Sequence, residues 1–107
     1  MSKNIQAFSA VQDGDGWKYL ALAADEYVIY HDSGIEEGPA EIGRKWPFLP
    51  DRFQDSIDAA SVVSEYGEWK YTFIKGNEAV FFKDSGLVEG PEQVTDKWSF
   101  LKDWLES

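Results

Sequence analysis

The side chains able to do chemistry in this sequence are mostly carboxylates. Twenty Asp and Glu stand against ten Lys and Arg, a formal net charge of −10, with one His and no Cys. Two carboxylates held at a fixed separation can run acid–base chemistry on a bond between them. Glu36, Glu37, Glu41, Asp51, Asp55 and Asp58 are candidates to gather on one surface, but their spacing singles out no pair. Dispersed acidic residues more often keep a surface soluble. The lone histidine, His31, makes neither a zinc centre nor a Ser-His-Asp triad within one chain. Residues 13–16, Asp-Gly-Asp-Gly, look like the start of a calcium loop. The twelfth position from Asp13, where such a loop needs a bidentate Glu, is Ala24. The stretch therefore reads as a hairpin turn. No Gly-x-Ser-x-Gly and no phosphate loop occurs. Nothing in these patterns makes an enzyme.

The charge balance excludes further classes. Nucleic acids and anionic membrane surfaces call for clustered Lys and Arg, which are lacking. Without Cys there are no disulfides or thiolate metal sites. No apolar run approaches a membrane span, and the first sixteen residues lack the apolar core of a signal peptide. The expected compartment is the cytoplasm, or the exterior by a route without a cleaved signal. An excess of carboxylates suits a basic protein partner or a small cation.

The elements that must position these groups are set by a repeat. Residues 5–55 align without a gap on residues 57–107, pairing Ile5 with Ile57 at an offset of 52 residues. Ala7, Ser9 and Val11 recur as Ala59, Ser61 and Val63. Trp17-Lys18-Tyr19 recurs as Trp69-Lys70-Tyr71, Asp32-Ser33-Gly34 as Asp84-Ser85-Gly86, and Gly38-Pro39 as Gly90-Pro91. Lys45-Trp46 and Phe48-Leu49 return as Lys97-Trp98 and Phe100-Leu101. The boundaries expected are residues 1–55 for the first unit and 56–107 for the second, forming one structural unit. A period of this length indicates a propeller, solenoid or array.

Within each unit, alternating β-branched and aromatic residues predict three antiparallel strands, over 5–12, 17–23 and 27–32, and over 57–64, 69–76 and 79–84. Pro39 and Pro91 suit the first position of a helix. Ile42 and Trp46, like Val94 and Trp98, are four residues apart and share one helical face. Such a unit cannot cover both faces of its sheet, whereas radial packing of several makes a β-propeller. Ala7, Ala59 and Ala60 fit its crowded axis. Trp17, Trp46, Trp69 and Trp98, at equivalent places, read as core and inter-blade packing rather than as a sugar or base platform. Trp104 has Arg52 as its counterpart and is expected to cap the last blade or pack across a seam between chains.

In order, Ser56–Ser61 (Ser-Ile-Asp-Ala-Ala-Ser), the aromatic hairpin from Trp69 to Asp84, Gly90-Pro91 and the closing Lys97-Trp98-Ser99-Phe100-Leu101 resemble one hemopexin-like repeat. Residues 4–50 match the same pattern more loosely. The resemblance implies a mainly β fold of two hemopexin-like propeller blades, each of antiparallel strands plus a short helix. That family closes four repeats into one disc, so two blades imply a homodimer, or assembly with a different two-blade chain. The resemblance also implies an axial Ca²⁺ or Na⁺ facing the backbone carbonyls of Gln6, Phe8, Asp58 and Ala60, positions matched to the family's Ile-Asp-Ala-Ala start. Phe8 departs from the family's Ala and crowds that position. The function implied is a non-enzymatic binding module for ions, polyamines, haem or proteins, with cations favoured by the charge. The alternative is an acidic inhibitor or immunity-type protein that neutralises a basic toxin or enzyme.

Overall fold

The structure, a computed structural model, describes residues 3–106. Its eight strands form two four-stranded antiparallel meanders. β1 (Ala7–Asp13), β2 (Gly16–Ala23), β3 (Glu26–His31) and β4 (Gly34–Glu41) make the first sheet, paired in that order. β5 (Ala59–Glu65), β6 (Glu68–Lys75), β7 (Glu78–Lys83) and β8 (Gly86–Gln93) repeat it. Each hairpin turns on a residue pair suited to it, such as Gly14-Asp15 or Tyr66-Gly67, with φ of 62° at Gly14, 52° at Tyr66 and 80° at Gly67. Primed two-residue turns demand that conformation and match the twist of the strands they join.

Each blade therefore has four strands, one more than the sequence predicts, and Pro39 and Pro91 lie in β4 and β8 rather than at helix starts. The cause is a bulge. The β3–β4 and β7–β8 registers both slip beside the Gly-Pro pair. Gly38, at φ +88°, comes so near the neighbouring strand that a Cβ would lie 2.5 Å from the Tyr27 carbonyl oxygen. Proline is tolerated next to it because β4 is an edge strand, where a missing N–H breaks no ladder. The helices begin three residues later, as α1 (Ile42–Lys45) and α2 (Val94–Lys97). The predicted shared face is present: the Trp46 N–H donates to the Ile42 carbonyl at 3.0 Å, and Trp98 to Val94 at 2.8 Å. A last turn, α3 (Lys102–Leu105), follows α2.

The main core lies between the sheets. Leu20, Leu22, Tyr27, Ile29, Ile42 and Trp46 of blade 1 meet Val62, Tyr71, Phe73, Val80 and Phe82 of blade 2. Trp46 is fully buried and packs its ring on Tyr71 at 5.0 Å, Phe82 at 5.3 Å and Phe73 at 5.7 Å. The inner strands β1 and β5 lie side by side, and the Val62 N–H donates to Ser9 Oγ at 3.0 Å.

Candidate functional site

Three features could engage a partner: the inner rim, a polar hollow and the outer faces of the two blades. At the rim, Gln6 and Asp58 precede the inner strands, while Phe8 and Ala60 lie within β1 and β5. The side chains of Gln6 and Asp58 are already committed. Gln6 Oε1 accepts from the Ala24 N–H at 3.1 Å, and Asp58 Oδ2 accepts from the Gly76 N–H at 2.7 Å. Ala24 and Gly76 are the repeat-equivalent turn residues between the second and third strands of their blades, so each acceptor pins a hairpin. This role escaped the sequence reading; its signal is that an acceptor recurs at one repeat position and a turn residue at another. Only the backbone of Gln6 and Asp58 is then left for an axial ion. Backbone groups two residues apart on a strand face the same edge. Ala60 therefore turns its carbonyl toward the side on which Val62 reaches Ser9. Phe8 does not crowd that edge: its ring lies over Tyr19 at 5.8 Å, on the outer face of blade 1.

The hollow, about 460 Å³, is lined by Asp25, Glu41, Arg44, Asp51, Gln54 and Asp55. Of the carboxylates singled out from sequence, Glu41, Asp51 and Asp55 meet here. Glu36 and Glu37 do not. Glu36 approaches the Lys18 ammonium at 3.4 Å, and Glu37 pairs with Lys45 at 2.7 Å and accepts from the Tyr27 hydroxyl. Burial pushes the Glu37 pKa up, but its bonds from Lys45 and Tyr27 outweigh that and hold it below the usual carboxylate range. Among the described residues, no three His, Asp or Glu side chains gather as metal ligands. His31 is half-buried rather than solvated, with Nε2 3.0 Å from Asp13 and Nδ1 3.3 Å from Glu36. Its counterpart Lys83 is held likewise, by Glu65 and Glu68.

The outer faces are apolar. On blade 1, Phe8, Tyr19 and Tyr30 stack in a row beside a groove of about 520 Å³ lined by Ile5, Ala21, Val28, Tyr30 and Ile35. On blade 2, a smaller cluster of Ala79, Phe81 and Val94 carries half-buried Trp98, Leu101 and Leu105. Of the four repeated tryptophans only Trp46 is fully enclosed; Trp17 is exposed, and Trp69 and Trp98 are intermediate. Trp104 is also exposed, at the blade-2 end.

Two stacked four-stranded meanders, with an open apolar groove on the outer face of blade 1 and exposed Phe100 and Trp104 at the blade-2 end, have the form of propeller blades, and comparison with solved structures bears out that fold. No family model and no curated protein matches the sequence. The hemopexin fold protein CP4 from cow pea superposes with a TM-score of 0.71 at 25% identity, covering 94% of this chain and 47% of its own. LS24, a seed albumin from Lathyrus sativus, gives 0.74 at 18% identity, covering 94% and 46%. A plant lectin with two metal binding sites from Cicer arietinum gives 0.70 at 17%, covering 92% and 48%. The chain thus has a hemopexin-like fold and spans about half the length of the proteins it matches. Among the described residues no helix is long and apolar enough to cross a membrane.

Proposed function

We propose that this chain is a non-enzymatic binding module, and that two copies close into one four-bladed disc. One observation carries the reading: an open apolar groove on the blade-1 face and exposed Phe100 and Trp104 at the blade-2 end, in a chain that spans about half of its structural neighbours. A joint of the internal kind on each side removes both faces from water. Within the disc the four carbonyls of Gln6, Phe8, Asp58 and Ala60 become eight about one axis, oxygen ligands suited to Ca²⁺ or Na⁺. Elsewhere the net charge of −10 and the acidic hollow favour a cationic ligand, a polyamine or a basic protein surface over an anion. A chain without Cys accords with a cytoplasmic setting.

Sedimentation at micromolar concentration tests the assembly: a two-chain mass is expected, and a stable single-chain mass ends the reading. Calorimetry with spermine and, separately, with calcium chloride tests the ligand. Spermine heat that fades with added salt supports the cationic reading, and its absence removes the polyamine.

A further inference from the structure

The internal joint also specifies how the second copy must sit, an inference that rests on the two-copy reading above. Three of the contacts that bridge blades 1 and 2 have counterparts of matching chemistry 52 residues away, and these counterparts lie at the two outer faces. At the internal joint the Trp46 Nε1–H donates to Asp84 at 2.9 Å, with Lys45 Nζ 4.0 Å from the same carboxylate. The counterparts are Trp98 and Lys97 on the blade-2 face and Asp32 at the β3–β4 turn of blade 1. Lys18 Nζ lies 4.5 Å from the Trp69 ring; its counterpart pair is Lys70 and Trp17. Phe48 packs on Phe82 at 5.9 Å; its counterpart pair is Phe100 and Tyr30.

The counterparts differ from the originals chiefly in exposure. Ile57 is 1% exposed and Ile5 60%; Trp46 is buried and Trp98 half-buried; Phe48 and Trp69 are half-buried, and their counterparts Phe100 and Trp17 are 77% and 49% exposed. The acceptor is poised in the same way in both blades. Asp84 faces the Tyr71 hydroxyl, whose pKa burial and this carboxylate raise, and Asp32 raises that of Tyr19.

We propose that the seam between copies repeats the internal joint one period further on, with Trp98 and Lys97 of one copy seated on the partner's Asp32. The blade-2 face of each copy covers the blade-1 face of the other, and one two-fold axis along the centre of the disc generates both seams. A face-to-face pairing of two blade-2 surfaces would instead bring together two aromatic donors with no acceptor.

The test uses the unaltered chain. Equal amounts of ¹⁴N- and ¹⁵N-labelled protein are mixed, allowed to exchange, treated with a zero-length carbodiimide and mapped by mass spectrometry. A Lys45–Asp84 link within chains is the built-in control. The expected result is a Lys97–Asp32 link joining differently labelled chains, with Asp32→Lys weakening association at least tenfold in sedimentation. A two-chain mass with the control link but no Lys97–Asp32 link overturns this register and leaves the two-copy reading standing. A single-chain mass overturns both.

Discussion

Trp46 is where the two blades depend on each other most, so its truncation measures whether they share one core. Its ring is fully enclosed and touches Tyr27, Tyr71, Phe73 and Phe82, the last three from the other blade. Replacing a buried Trp with Ala costs about 3–5 kcal/mol through lost transfer energy and the cavity left behind. Trp46→Phe keeps most of the ring and removes the indole N–H that bonds Asp84. The Asp84 side chain is 54% exposed, so water replaces the lost donor, and that variant loses about 1–2 kcal/mol. Urea unfolding at fixed protein concentration, followed by circular dichroism, separates the two. At about 4 °C per kcal/mol, Trp46→Ala lowers the thermal midpoint by roughly 12–20 °C and Trp46→Phe by roughly 4–8 °C. A loss below about 1 kcal/mol for Trp46→Ala, or two separate unfolding transitions in the unaltered chain, would refute a shared core.

Three further outcomes follow from the geometry. Gly38→Ala and Gly90→Ala drive a Cβ to 2.5 and 2.6 Å from a backbone carbonyl oxygen, whereas Gly14→Ala enters open space, so thermal melts rank the first two well below the third. Asp58→Ala frees the Gly76 N–H and costs up to about 1 kcal/mol, but an ion held by backbone carbonyls keeps its affinity; a calcium heat lost with that side chain would sink the carbonyl reading. Glu92 faces Glu89, with its Oε1 buried and without a hydrogen-bond partner among the described residues, and the two carboxylates raise the Glu92 pKa and lower that of Glu89. A raised carboxylate pKa in the folded state contributes stability at low pH that is lost as pH rises through it. Glu92→Gln supplies a neutral donor at every pH, so its gain in thermal midpoint is largest at pH 7 and shrinks toward pH 4.5. An equal gain at both values would refute a raised Glu92 pKa.

Six of the eight strands were legible because their apolar residues alternate and each pair is divided by a short turn that tolerates positive φ. β4 and β8 were not. Gly-Pro signals a helix start locally, and only the pairing with β3 or β7 reveals a bulge that needs glycine against the neighbouring carbonyl. The i, i+4 spacing of Ile42 with Trp46 still located α1, since that signal does not depend on where the chain enters. At the rim, the repeat marked the positions of Gln6 and Asp58 but not their use. A bond from residue 58 to the amide of residue 76 spans two strands and leaves no local pattern.

The places where the repeat breaks are as informative as where it holds. Phe73 faces Trp46 at the internal joint, but its counterpart is Ala21, and this is why blade 1 bears an open groove on its outer face. Across the joint, buried Tyr27 has Ala79 as its counterpart, with the missing hydroxyl role taken by Glu92 in place of Ala40. Both changes thin the outer faces relative to the internal joint. One change runs the other way: Arg52, which pairs in the open with Glu78, becomes Trp104. Trp104 is exposed, at the blade-2 end. A seam with fewer rings than the internal joint is the weaker of the two. In the proposed two-chain disc, dilution should therefore separate the copies while each pair of blades stays folded.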